Sequence, residues 1–337
     1  MIIEIPDVWI SAAKKHEQYL CKTIAAYFRK EYLAGPPCLL LHQVKLFVRR
    51  NLRTIVATST RNFSSVIDDF NHTFTTDDTK QSTQRDEALG MLKNIFNYEK
   101  FRDSRKIWGA YLLCECSVYK VCPYCHLRTI DTNPKSDELT GYRPDLDHYI
   151  SQSNYPFLAL SLGNIMPSCS KCNGPQMKHD TDFYKVPHLN PQVDKAVLSF
   201  SLLPASGKSW SPELRALRGR KKDYLIHIAA PEGNIAASRS LTTFQLIPQY
   251  QNHLHEAWRI AKSIRKNLSF AKSVGQVTGL NILSQDQAEE IETILGFSPD
   301  REDFRNIPLG KMMLDVWNDV QSWEISSSSQ GLNAFPP

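Results

Sequence analysis

The chain has 337 residues, 42% of them hydrophobic and 22% charged, with a formal net charge of +5. Those fractions are typical of a soluble globular protein, and the length suffices for one large or two ordinary domains. The mild positive charge permits a nucleic-acid partner without requiring one. No run of about 18 apolar residues occurs, so no membrane span is expected. Met1 to Pro6 lack the basic-then-apolar pattern of a secretory signal, and a cytoplasmic protein is expected.

In chain order, Asp7 offers a cap for a first helix over 8–33, with Ile10, Leu20, Ile24, Tyr27 and Phe28 at roughly helical spacing, ended by Gly35-Pro-Pro37. A second helix over 39–55 puts Leu41, Val44, Phe47 and Val48 on one face and Lys45, Arg49, Arg50 and Arg53 towards its far end, where they form either a solvated face or a phosphate grip. Residues 64–87 are polar and read as a surface loop or linker. Helical pattern resumes over 89–96 and again over 107–119, which delivers the chain to Cys122. Residues 197–203 and 225–229 look like short strands joined by a basic loop, Arg215, Arg218, Arg220, Lys221 and Lys222. Helices are expected over 249–272, from Ser284 (with Gln287 completing a capping box) to Gly296, and over 309–320. Residues 326–337 read as a disordered tail. The expected fold class is α+β and mostly helical.

Two paired cysteine knuckles, Cys122-Pro-Tyr-Cys125 and Cys169-Ser-Lys-Cys172, form the ligand set of a structural zinc. Cys21, Cys38, Cys114 and Cys116 lie in apolar surroundings and read as buried small hydrophobes. Between and just after the knuckles stand Asp147-His148, Asn164 and Asn173, with Lys178 beyond. A carboxylate and an amide oxygen suit a hard cation such as Mg²⁺, and a neighbouring imidazole can take a proton from water. Asp145, two residues before Asp147, would point the same way along a strand. His126 abuts a knuckle whose zinc already has four thiolates, so it reads as a neighbour; His179 is a weaker candidate for substrate or metal contact. The second knuckle faintly resembles a zinc deaminase signature, but its His-x-Glu partner is absent and four cysteines leave no open position for water.

In these residues the sequence resembles the zinc-stapled branch of the HNH (ββα-metal) endonucleases. Asp147-His148 matches the first motif position, Asn164 the middle one and Asn173 the last, in an Asn-terminated variant. The resemblance extends to Lys106-Ile-Trp-Gly-Ala-Tyr111, Arg143-Pro-Asp-Leu-Asp-His148, Tyr155-Pro-Phe-Leu-Ala-Leu160, Asn164-Ile-Met-Pro-Ser-Cys169 and Asn306-Ile-Pro-Leu-Gly-Lys311, which look like the HNH effectors of the Septu and retron antiphage systems, nucleases that act with an ATPase partner. It is densest over 122–183, extends more loosely over 98–320 and leaves the first 95 residues unmatched. Gly174 to Met177 depart from the small polar residues commoner there.

The resemblance implies an HNH module over 98–190; the residue patterns on either side divide the rest into a helical region over 1–97, a mainly helical region with short strands over 191–325, and the tail over 326–337. It implies His148 as general base, Mg²⁺ or Mn²⁺ held by Asp147 and Asn173, Asn164 steadying the histidine loop, and Lys178 meeting a substrate phosphate. DNA is the expected substrate. The alternatives are an RNA such as tRNA, a nuclease acting alone, or a non-catalytic zinc-stapled module that binds nucleic acid or protein.

Overall fold

The computed structural model describes residues 2–56, 62–74, 79–104, 107–133, 140–278, 292–298 and 302–328. It is a mixed α+β protein with small two-stranded sheets, divided by its internal contacts into two compact units. One comprises residues 4–124 and 129–195, and the other 1–3, 125–128 and 196–337. None of the described helices is long and apolar enough to cross a membrane.

The first unit opens with helices α1 (Ala13–Ala34) and α2 (Leu39–Val56). Asp7 does not cap α1, which begins six residues later; its carboxylate instead accepts from the Tyr119 hydroxyl. The intervening turns exist because Val8, Trp9 and Ala12 are buried and the Trp9 indole donates to the Ile165 carbonyl at 2.8 Å, a pairing that a continuous helix would aim elsewhere. On α2 the expected apolar face is buried, while Arg50 bonds Asp69 and Thr73, so that part of its basic cluster serves structure.

The polar stretch over 64–87 is not a linker. It holds α3 (Phe63–Thr73) and most of α4 (Thr79–Ile95), whose Ala88, Leu92 and Ile95 are buried. Mean polarity hides the spacing of Phe63, Val66, Ile67 and Phe70, one helix face that is wholly buried. Phe70 packs on Phe47 and Phe157, with ring centroids 5.6 and 5.0 Å away. Next come α5 (Tyr98–Asp103) and α6 (Ala110–Glu115). The helix expected over 107–119 is cut to six residues, because Gly109 is fully extended and packed so closely that a Cβ would lie 2.8 Å from the Phe101 carbonyl oxygen. Of the second cysteine set, Cys114 is buried, with its thiol pushed up to about 12 by burial. Cys21 and Cys38 are exposed, contrary to expectation: Cys21 lies on the solvent side of α1, and Cys38 stands just before α2 with its sulfur accepting from the Leu41 amide at 3.4 Å.

His16 shows how strictly this unit is packed. It is fully buried, with Nε2–H donating to the Leu160 carbonyl at 2.7 Å and Nδ1 accepting from the Trp108 indole at 3.1 Å. Since indole can only donate, Nδ1 must be unprotonated and the ring neutral. Burial lowers its pKa to about 4. The unfolded chain, with an ordinary histidine, binds this proton at higher pH than the folded one, so stability falls as pH drops from about 6.5 towards 4. Between pH 7.5 and 5, His16 alone is expected to cost about 2 kcal/mol. Urea denaturation at both pH values should therefore show His16→Gln losing less stability on acidification than the wild type; equal losses would contradict the assignment.

The second unit contains an antiparallel pair, β3 (Ser199–Pro204) and β4 (Tyr224–Ala229), at the expected strands. The free edge of β3 is covered by the helix Gly310–Ser328, whose Asp315 and Asp319 carboxylates accept from the Phe200 and Leu202 amides at 3.0 and 3.1 Å. That helix continues past Val320 through Ser328, so the first residues assigned to the tail are helical; 329–337 lie outside the described residues. After α7 (Ile235–Thr243), the helix expected over 249–272 is two, α8 (Leu246–Gln251) and α9 (Leu254–Thr278), broken at a turn where the His253 amide bonds the Tyr250 carbonyl. Most of the helix expected from Ser284 falls outside the described residues.

Candidate active site

The strands β1 (Asp145–His148) and β2 (Ile165–Ser168) pair antiparallel, with Asp147 opposite Met166, and a one-turn helix, Ser170–Asn173, follows β2 directly. The connecting loop is pinned by Asn164. Its side chain is fully buried, accepts from the Ile150 amide at 2.6 Å and donates to the Ile150 and Leu158 carbonyls at 3.0 and 3.1 Å. Alternation along β1 sends Asp145 and Asp147 to one side.

A cavity of about 380 Å³ opens there, lined by Asp145, Asp147, His148, Asn173 and Lys178 together with Tyr98, Arg102, Arg143 and His179. The structure thus brings four of the five expected non-cysteine residues to one cavity, and Asn164 stands behind it as a brace.

His148 is almost wholly buried. Its Nε2–H donates to the Ala159 carbonyl at 2.8 Å, which leaves Nδ1 as the nitrogen with a free lone pair. Tyr98 packs against the ring in a T-shaped arrangement, with centroids 4.5 Å apart. Burial lowers the His148 pKa to about 4, with the bond to Ala159 and the Asp147 charge opposing that shift, so the imidazole is neutral at pH 7.

Asp147 accepts from the Tyr124 hydroxyl at 2.6 Å on Oδ2 and from Lys178 Nζ at 2.8 Å on Oδ1. Lys178 also donates to the His148 carbonyl at 2.7 Å and lies 4.8 Å above the Phe183 ring. Lys178 and Asp147 are each only 3% exposed. The lysine expected to meet a substrate phosphate is therefore turned inward and bound to the carboxylate, because its ammonium offers the opposite charge that a buried Asp147 requires. Asn173, at the end of its helix turn, makes a long 3.5 Å contact to Asp145. His179 is exposed at the rim in a left-handed conformation, 3.1 Å from Asp180.

The four knuckle cysteines are buried, and their sulfurs lie within 4.8 Å of one another. Four thiolates about 2.3 Å from a zinc ion span edges of about 3.8 Å, so the cluster fits a structural zinc with small adjustment and no open position. His126 is excluded as a ligand by its own partners. It is fully buried, its ring bonds the Arg305 carbonyl and the Lys311 amide, and its carbonyl accepts from Leu309 at 2.8 Å. The Asn306–Lys311 segment is thereby explained as the seat of His126.

Tyr124, Tyr98 and Arg143 were missed by sequence reasoning. Tyr124 had a signal, since the first knuckle fixes whatever stands inside it, but its bond to Asp147 spans 23 residues. No protein-family model matches the chain, and no solved structure matches it. It is similar to the Septu protein PtuB of Bacillus thuringiensis, 24% identical over 243 residues that cover 71% of this chain and 88% of that protein.

Proposed function

We propose that the chain is a metal-dependent HNH endonuclease that hydrolyses phosphodiester bonds in DNA, as the effector of an antiphage defence system controlled by a partner ATPase. The observation that carries this reading is the convergence of Asp147, His148 and Asn173, from a strand–strand–helix segment, on one cavity beside a four-cysteine cluster. The similarity to a Septu protein supports the defence role, and the ATPase follows from the resemblance in sequence.

In this reading His148 acts through Nδ1. The Ala159 carbonyl fixes its tautomer, burial keeps it neutral, and it takes the proton from a water that attacks the scissile phosphate. Asp147 and Asn173 hold a divalent cation, Mg²⁺ or Mn²⁺. An ionised carboxylate has about four acceptor positions, so the bonds from Tyr124 and Lys178 leave room on Asp147 for a ligand. When bound, the cation stabilises charge on the phosphate and on the departing 3′ oxygen. Asn164 holds the loop that carries His148. Lys178 pairs with the Asp147 carboxylate and orients it. The zinc positions Tyr124 from one knuckle and Asn173 from the other.

Two further readings differ in substrate or in chemistry. A site of this kind reads a phosphodiester and leaves the choice between DNA and a structured RNA such as tRNA to the surfaces around it. The inward commitment of Asp147 to Lys178 favours a non-catalytic zinc module, in which the ion pair is structural. Phage plating on cells that express the chain with its partner ATPase tests the proposal. Wild type is expected to cut plaque number at least a hundredfold and His148→Ala to give none of that protection at equal protein level. Full protection by His148→Ala would remove catalysis from the account. Degraded phage or host DNA in infected cells supports the DNA reading, and degraded tRNA with intact DNA overturns it.

A further inference from the structure

Two basic stretches far apart in sequence meet in the second unit. A cavity of about 570 Å³ is lined by Ala216, Leu217 and Arg218 from the loop after the short helix Pro212–Arg215, and by Lys262, Ser263, Arg265 and Lys266 from α9. Among the described residues that line it, four of seven are cations and none is a carboxylate. Arg218, Lys262 and Lys266 are exposed.

The surrounding structure holds these charges in place. Leu217 is buried with φ at 54°, a left-handed conformation that a branched side chain adopts only under packing, and it turns the chain so that Arg218 faces the cavity. The Tyr224 hydroxyl donates to the Leu214 carbonyl at 2.9 Å, and the Arg218 amide bonds the Glu213 carbonyl. Arg265 donates to the Arg215 carbonyl at 3.0 Å, which joins α9 to the loop. The Lys262 ammonium rests 4.2 Å above the Trp258 ring, a contact that holds this charge at the cavity wall. Of the acids near Arg218 in sequence, Asp223 is taken up by Lys208 at 2.6 Å and by the Arg220 amide at 2.7 Å, while Glu213 does not line the cavity but feels the Arg218 charge.

Like charges three and four residues apart on a helix oppose folding by about 0.2–0.5 kcal/mol per pair. Lys262 and Lys266 present that pattern at a cavity that Arg218 also enters, with no acid among its described lining residues, so the arrangement is suited to an anion supplied from outside. One turn between Lys262 and Lys266 rises about 6 Å. A nucleic-acid strand carries a charge every 3.4 Å or so, and about two phosphates fit that length.

From this we infer that the cleft between the Arg218 loop and α9 is a nucleic-acid site that grips the phosphodiester backbone without reading bases. The choice of ligand rests on the nuclease reading, while the test does not depend on cutting. Binding of a fluorescein-labelled 30-base-pair duplex to the zinc-loaded chain carrying His148→Ala is followed by anisotropy from 50 to 200 mM salt. Adding Arg218→Gln, Lys262→Gln and Lys266→Gln together is expected to weaken binding at least tenfold at 100 mM and to flatten the plot of log affinity against log salt by about two to three units. A control with the same charge change on exposed lysines of α1, Lys14→Gln, Lys22→Gln and Lys30→Gln, should stay within about threefold of the parent. Equal losses in both triples would reduce the effect to net charge and overturn the site. Unchanged duplex binding, with lost binding of the partner ATPase, would assign the cleft to a protein surface and likewise overturn it.

Discussion

Replacing Cys172 by Ser is expected to release the zinc and unfold the segment that carries the site. Four buried sulfurs within 4.8 Å of one another match the edges of a thiolate tetrahedron around one metal ion, and structural zinc contributes on the order of 10–16 kcal/mol where it has been isolated in small domains. That exceeds or equals the whole net stability of an ordinary domain. The loss would reach the cavity by two routes. Asn173 follows Cys172 directly, and the Lys178 amide bonds the Cys172 carbonyl at 3.2 Å. Tyr124, inside the other knuckle, is the hydroxyl partner of Asp147. Elemental analysis and near-ultraviolet circular dichroism check this: about one zinc per wild-type chain, little in the variant, and loss of aromatic signal with it. A variant that kept its zinc and its spectrum would show that the cluster is not a four-thiolate site.

Lys178→Met carries the second large effect. The lysine has three ammonium protons; Asp147 and the His148 carbonyl take two, and the Phe183 face lies beside the group. Methionine fills most of that volume, so the change isolates charge from packing. With the ammonium gone, Asp147 is buried as a carboxylate with the Tyr124 hydroxyl as its main support. Breaking a buried pair from one side costs about 3–5 kcal/mol, whereas replacing both partners costs much less. Urea denaturation of zinc-loaded protein should show that loss for Lys178→Met and a smaller one for Lys178→Met combined with Asp147→Leu. A single-variant loss under about 1 kcal/mol would mean that the pair is solvated rather than buried.

The contrast between what was legible in the sequence and what was not follows from the range of the interactions. The cysteine cluster was legible because a short chelate spacing fixes local geometry whatever surrounds it. Strands β3 and β4 and the buried face of α2 were legible from their apolar pattern. Helix α3 was not, since its four buried residues sit among polar ones and only packing on Phe47 and Phe157 identifies that face. Asp7 failed as a cap for a similar reason: Tyr119, 112 residues away, takes its carboxylate. Within the cavity, residue types at Asp147, His148 and Asn173 could be chosen from chemistry, but the inward turn of Lys178 depends on a charge balance that only the folded hairpin creates. The cleft at Arg218 and Lys262 lies further still from local reading, because each basic stretch alone resembles a solvated face.

The most direct test of the account is cleavage by the purified, zinc-loaded chain. Supercoiled plasmid and total tRNA are incubated in parallel with Mg²⁺ or Mn²⁺, with and without the partner ATPase, using wild type and His148→Ala. The account predicts metal-dependent cutting of plasmid that falls at least a thousandfold in the variant while zinc content and the folded near-ultraviolet spectrum are retained, with the tRNA left intact. Cutting that persists in His148→Ala, or no cutting of either nucleic acid even with the ATPase present, would contradict it.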